Sequence, residues 1–209
     1  MHGLYLVTDR SLCGKNSLET VVLQAAKGGV FCVQLREKEM ATRHFIEEAE
    51  NIKRILLPYK IPLIINDRVD VALAVGASGV HLGQSDMPCA RARSLMGSKA
   101  IIGLSVETWN DVEKSCQCDI DYIAASPVFA TPTKTDTKGA WGLEGITKIR
   151  AAIRHPLVAI GGINERNAGA VVKAGADCLA VVSAICAAAE PAAAVRRLNE
   201  IIAAASARR

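Results

Sequence analysis

Short runs of apolar, largely β-branched residues alternate along the chain with longer stretches whose apolar positions recur at helical spacing. Eight runs are predicted as strands, over residues 4–8, 31–36, 63–66, 79–82, 101–105, 122–126, 157–161 and 178–183. They are almost continuously apolar, the pattern of strands buried on both faces, as in a parallel sheet. Between the first two, Leu18, Val22, Leu23 and Ala26 recur at helical spacing within 16–29; after the second, Phe45, Ile46, Ala49, Ile52 and Leu56 share one face of 42–57. Further helices are predicted over 68–75, 90–96, 109–116, 143–153, 165–174 and 192–205, one after each remaining strand. Phrases such as Gly28-Gly29-Val30, Gly76-Ala77-Ser78-Gly79-Val80 and Gly175-Ala176-Asp177 end a helix on glycine and turn into a strand. Eight such βα units in 209 residues predict one domain over 1–209, an α/β chain closed as a (β/α)8 barrel (a TIM barrel). The competing architecture, a doubly wound open sheet, would need fewer strands and a glycine-rich fingerprint after the first, where Thr8-Asp9-Arg10-Ser11-Leu12 stands instead.

Composition narrows the function. A formal charge of +4, with no long Lys/Arg run, argues against nucleic acid, and aromatics at 4% disfavour a base-stacking surface. No apolar run reaches the ~18 residues of a membrane span. The start, Met1-His2-Gly3-Leu4-Tyr5-Leu6-Val7, enters a strand without a basic n-region, so no signal peptide is read and the cytoplasm is the expected location. The seven cysteines are odd in number and spread over the chain. Only Cys116 and Cys118 lie close together, without a second pair or a nearby His, and reduced thiols are expected rather than zinc. A homo-oligomer is compatible with all of this.

In a barrel of this kind the site lies at the carboxyl ends of the strands. The second strand ends in Gln34-Leu35-Arg36-Glu37-Lys38, and alternation aims Gln34, Arg36 and Lys38 at the mouth as an anion clamp, the alternative being a solvated charge run with Glu37 and Glu39 interleaved. Asp67 and Asp86 follow the third and fourth strands. Together they suit Mg2+; separately, each would serve as a helix cap, Asp67 also pairing with Arg68. Ser105 ends the fifth strand and would donate to a phosphate or open a turn. A long hydroxyl-rich segment after the sixth strand carries Lys134 and Lys138. Gly161 and Gly162 after the seventh strand, with Val182 and Ser183 after the eighth, occupy the usual phosphate position of this fold. Two anion sites at one mouth are therefore expected, one for a monophosphate and one for a metal-bound diphosphate. No Ser–His or Cys–His pairing and no isolated Schiff-base lysine is evident, which favours diphosphate departure over hydrolysis or aldol chemistry.

These residues carry a resemblance. Gln34-Leu35-Arg36-Glu37-Lys38, Ile65-Asn66-Asp67-Arg68, His81-Leu82-Gly83-Gln84-Ser85-Asp86, Thr131-Pro132-Thr133-Lys134, Ile160-Gly161-Gly162-Ile163 and Val181-Val182-Ser183-Ala184-Ile185 together resemble the thiamine-phosphate synthase family, from about Gly3 to Ile185. The resemblance implies a transferase of thiamine biosynthesis. It would join 4-amino-2-methyl-5-(diphosphooxymethyl)pyrimidine to 4-methyl-5-(2-phosphoethyl)thiazole, releasing pyrophosphate, and CO2 where the thiazole is carboxylated. It also implies roles: Gln34, Arg36, Lys38, Asn66, Ser105 and Lys134 on the pyrimidine diphosphate, with Arg36, Lys38, Ser105 and Lys134 catalytic; Asp67 and Asp86 on Mg2+; and Thr131, Thr133, Gly162, Val182 and Ser183 on the thiazole phosphate. The chain departs from the family pattern at two places: Ala124-Ala125-Ser126 stands where many relatives read Gly-Val-Gly, and Glu107 where a His is common. A thiazole tautomerase and a non-catalytic phosphometabolite-binding barrel are the rivals, and neither needs the set Arg36, Lys38, Asp67, Asp86 and Lys134.

Overall fold

A computed structural model describes residues 2–131 and 139–207. Its strands are β1 (Gly3–Val7), β2 (Cys32–Leu35), β3 (Leu63–Asn66), β4 (Gly79–Leu82), β5 (Ile101–Val106), β6 (Tyr122–Ala125), β7 (Leu157–Ile160) and β8 (Cys178–Val181). They close in sequence order, and β1 pairs in parallel with both β2 and β8. The open-sheet alternative is thereby excluded. Around them run α1 (Leu18–Gly28), α2 (Thr42–Leu56), α3 (Val69–Val75), α4 (Cys89–Met96), α5 (Trp109–Ser115), α6 (Gly142–Ala152), α7 (Ala168–Lys173), α8 (Ser183–Cys186) and α9 (Pro191–Ser206). Among the described residues no helix is long and apolar enough to cross a membrane.

Strand parity divides the interior. One parity, including Leu4, Leu6, Val33, Leu35, Ile65 and Ile123, packs outward against the helices. There α2 inserts Phe45 and Ile52, both fully buried. Truncating a side chain like Phe45 to alanine costs about 3–5 kcal/mol. The other parity, including Tyr5, Cys32, Ile64, Tyr122, Val158 and Cys178, fills the lumen. Burial on both sides explains why the strands read as continuous apolar runs.

Several predicted boundaries move, each for a local reason. β2, β6, β7 and β8 stop one or two residues early, because Arg36, Ser126, Gly161 and Ser183 lie where the chain leaves the ladder. α1 begins after Ser17, whose hydroxyl accepts from the Thr20 N–H, and ends at Gly29 in the left-handed region at φ 90°. α7 begins three residues later than predicted. The Asn164 N–H donates to Asn167 Oδ1 at 2.8 Å and the Arg166 N–H to Asn164 Oδ1 at 2.9 Å, so side chains close these turns before helix starts. The short α8 was not expected; it follows β8 at the mouth, starting at Ser183.

Candidate active site

The carboxyl ends of the strands enclose a cavity of about 510 Å³, the size of a small-ligand site. On one side it is lined by Gln34, Arg36, Lys38, Asn66, Asp67 and Asp86. On the other it is lined by Thr131, Gly162, Val182 and Ser183, with Ser105 of β5 between the two groups in strand order. The two expected subsites are thus two ends of one cavity. Thr133 and Lys134 lie outside the described residues.

Local bonds aim the clamp. Gln34 is buried in the lumen wall, and the Thr8 hydroxyl, itself buried, accepts the Arg36 N–H at 3.0 Å. Glu37 turns the other way, 3.4 Å from Arg10, and does not line the cavity. The motif is therefore two-sided, with its cations on the cavity side, and not a uniformly solvated run. Lys38 Nζ donates to Asp67 Oδ2 at 2.5 Å. Asp67 itself sits at φ 61°, rare for a residue other than glycine. Its N–H donates to the His81 carbonyl at 2.8 Å, and this turn brings its carboxylate to the mouth.

Asp86 Oδ2 accepts the Gly83 N–H at 2.6 Å. Burial pushes the Asp86 carboxyl above the usual range, and its contact with the Asp67 carboxylate pushes it further. Two acids thus meet at one point. Neither caps a helix: Arg68 is the N-cap of α3 and pairs with Asp70 at 2.8 Å, while Pro88 is the N-cap of α4. Two facing carboxylates form a hard oxygen donor set that fits Mg2+. Among the described residues no group of three or more His, Cys, Asp or Glu gathers. The protein side of such a site is therefore two carboxylates, leaving room for phosphate oxygens and water, as Mg2+ prefers. Cys116 and Cys118 form no disulfide.

A hydrogen-bond chain crosses the lumen beneath this cluster. Gln34 Nε2 donates to Tyr5 Oη at 2.8 Å, and Tyr5 Oη lies 3.0 Å from Tyr122 Oη. Tyr122 Oη lies 2.9 Å from His81 Nδ1, and His81 Nε2 lies 2.8 Å from Ser105 Oγ. Gln84 Nε2 donates to the Ser105 carbonyl at 2.7 Å. The expectation of no Ser–His pairing is therefore corrected: Ser105 and His81, on adjacent strands, are bonded. Sequence reasoning also missed Tyr5 and Tyr122, which look like ordinary core aromatics. One signal for Tyr122 was present. Gly103 stands mid-strand in register with it, and a mid-strand glycine often marks a close approach. A Cβ on Gly103 would overlap Cζ of the Tyr122 ring.

At the other end, Gly161 and Gly162 adopt φ 105° and 66°. Cβ atoms there would lie 2.5 Å from Pro127 Cβ and 2.8 Å from Phe129 Cβ, so only glycine lets the end of β7 pack beneath residues 127–129. Asn167 Nδ2 holds the Gly162 carbonyl at 2.9 Å. Beside it α8 opens toward the cavity at Ser183, and the first N–H groups of a helical turn have no partner within it. The two departures also lie here or nearby: Ser126 is nearly buried against the cavity, and Glu107 lines it, its N–H donating to Asp111 Oδ2 at 3.2 Å.

Residues 4–185 match the family described as thiamine monophosphate synthase. The chain is 57% identical over 199 residues to the thiamine-phosphate synthase of Albidiferax ferrireducens, covering 95% of this chain and 91% of that one. It is 54% identical over 195 residues to the thiamine-phosphate synthase of Leptospira biflexa, covering 91% and 93%. Its fold superposes on thiamine phosphate pyrophosphorylase from Pyrococcus furiosus with a TM-score of 0.89 at 37% identity, over 97% of this chain and 96% of that one. These relatives are transferases of thiamine biosynthesis, and this chain belongs to the thiamine monophosphate synthase family.

Proposed function

We propose that this transferase joins 4-amino-2-methyl-5-(diphosphooxymethyl)pyrimidine to 4-methyl-5-(2-phosphoethyl)thiazole, forming thiamine phosphate and pyrophosphate. A carboxylated thiazole would release CO2 as well. One observation carries this reading: cations and paired carboxylates at one end of a single cavity face a glycine cradle at the other. A diphosphate and a monophosphate are thereby held within one small volume, which brings the two rings together.

Gln34, Asn66 and Ser105 orient the pyrimidine, while Arg36 and Lys38, with Lys134 from outside the described residues, hold its diphosphate. Carbon–oxygen cleavage loads negative charge onto the departing pyrophosphate, and these cations stabilise it where it develops. Asp67 and Asp86 would hold Mg2+, which when bound supplies further neutralisation of that charge. Gly162, Val182 and Ser183, with Thr131 and Thr133, hold the thiazole phosphate so that the thiazole nitrogen meets the carbon being vacated. The aminopyrimidine ring delocalises the developing cation, so no protein nucleophile is required. The Ser105–His81 pair is accordingly a binding element.

The test mixes both substrates with Mg2+ and follows thiamine phosphate by chromatography. Product that requires the diphosphate and the thiazole phosphate together is expected. Folded protein that forms none refutes the proposal.

A further inference from the structure

The chain of hydrogen bonds from Gln34 to Ser105 has a direction. Gln34 Nε2 is a donor, so Tyr5 Oη accepts there. Suppose Tyr5 donates to Tyr122 and Tyr122 to His81 Nδ1. Each phenol proton then has a strong acceptor, His81 carries its proton on Nε2, and Ser105 Oγ accepts that proton. The Ser105 hydroxyl proton is left to point into the cavity, which Ser105 lines. In the reverse direction Tyr122 donates to Tyr5. The Tyr5 proton, already facing two donors, then has only the neighbouring Cys32 sulfur, a weak acceptor. Both phenols are fully buried, where an unsatisfied donor is costly. Burial also holds both hydroxyls protonated far into the alkaline range.

Packing fixes the relay as firmly as its bonds do. The Tyr122 ring stacks on His81 with centroids 5.5 Å apart and planes 20° apart. It meets Tyr5 edge-on at 6.1 Å and 77°. Gly103 supplies the space the ring occupies. Four strands, β1, β4, β5 and β6, thus converge on one hydroxyl group.

We propose that Tyr122 is a positioning residue: its hydroxyl sets His81 as the Nε2–H tautomer so that Ser105 presents a hydrogen-bond donor to the pyrimidine, and through Tyr5 it anchors Gln34 on the facing wall. This inference rests on the reading above that Ser105 and Gln34 hold the pyrimidine diphosphate. Tyr122→Phe tests it by keeping the ring and removing only the hydroxyl.

Two readouts separate positioning from general stability. In steady-state kinetics Tyr122→Phe should lower kcat/KM for the pyrimidine diphosphate roughly tenfold or more, as expected for unpaired buried partners. The KM for the thiazole phosphate should change less than about twofold, since the relay ends at Gln34 and Ser105, both assigned above to the pyrimidine. Nitrogen NMR of histidine-labelled protein should find His81 as the Nε2–H tautomer in the native chain and as a mixture in Tyr122→Phe. Tyr5→Phe, the second variant, should keep the native tautomer and raise the KM for the pyrimidine diphosphate severalfold through Gln34. A native Nδ1–H tautomer overturns the proposal. So does a Tyr122→Phe enzyme with native kinetics and tautomer, or a Tyr5→Phe that disturbs His81. If the native chain makes no thiamine phosphate, the functional reading fails, while the tautomer still decides whether the relay runs as described.

Discussion

Gly103→Ala is a single-methyl change whose cost follows from the lumen geometry. The added Cβ would overlap Cζ of Tyr122 and lie 2.5 Å from Cε1. Carbon atoms settle about 3.5–4.0 Å apart, so the ring must retreat by roughly 1 Å or more. It has nowhere to go without loss, being fully buried between Tyr5 and His81. Overpacking of this kind costs about 1–3 kcal/mol, and losing the bonds to Tyr5 and His81 adds about 1 kcal/mol each, giving about 3–5 kcal/mol. For a chain of this length that lowers Tm by roughly 10 °C, measurable by calorimetry. A double-mutant cycle with Tyr122→Ala isolates the cause. Without the ring, Gly103→Ala should cost under about 1 kcal/mol, leaving a coupling of at least about 2 kcal/mol. Ser105 follows Gly103 on the same strand face, so kcat/KM for the pyrimidine diphosphate should also fall at temperatures where the variant is folded. A Gly103→Ala protein that melts within about 2 °C of the parent, or a cycle with no coupling, would refute the account of the lumen.

Asp67→Asn tests the carboxylate pair while keeping a residue that tolerates φ 61°. Turnover should fall by about two orders of magnitude and the Mg2+ concentration for half-maximal rate should rise; an unchanged Mg2+ titration removes Asp67 from the metal site. Lys134→Ala should lower kcat more than it raises the KM for the thiazole phosphate, as expected of a group that acts on the departing charge, and the opposite pattern would move Lys134 to the thiazole subsite. Burial pushes the thiols of Cys178 and Cys186 up to about 12 from an ordinary 9.0. Their raised values stabilise the fold fully below pH 9.0, and that contribution is lost as the pH climbs toward 12. In this window the unfolded chain has released protons that the folded chain retains. Denaturant melts between pH 9 and 11 should lose roughly 1.4 kcal/mol per pH unit for each thiol, and Cys178→Ala should remove one share of that slope. A flat profile would contradict the burial.

How much of this was legible in the sequence depends on whether a feature is local. The eight strands were readable because each is buried on both faces and shows it as a continuous apolar run, with glycine turns at 28–29, 76 and 175 marking the entries to β2, β4 and β8. Their ends were less readable. Residues such as Arg36, Gly161 and Ser183 keep the pattern of the strand while the backbone has already left the ladder. The shared direction of Gln34, Arg36 and Lys38 was readable from alternation, since two-residue periodicity continues past Leu35 to the cavity, but alternation alone left a solvated charge run as the alternative. The meeting of Asp67 and Asp86 followed from their places after adjacent strands, but the turn at Asp67 that produces it did not, because a positive φ at an aspartate leaves no mark in the hydrophobic pattern.

The lumen relay was illegible for a different reason. Tyr5, His81, Ser105 and Tyr122 are spread over more than a hundred residues, and each satisfies its own strand's pattern without reference to the others. What unites them is register around a closed ring, where inward parity on four strands must coincide at one height. Only Gly103 betrays the arrangement locally, because a glycine that weakens its own strand is explained by the ring that needs its space. The same inward parity that buries Cys32, Ile64 and Cys178 deeper in the barrel delivers Gln34 and Ser105 to its mouth. Core and site are successive layers of one stack, so a volume change at Gly103 is expected to register in the binding of a substrate that Gly103 never touches.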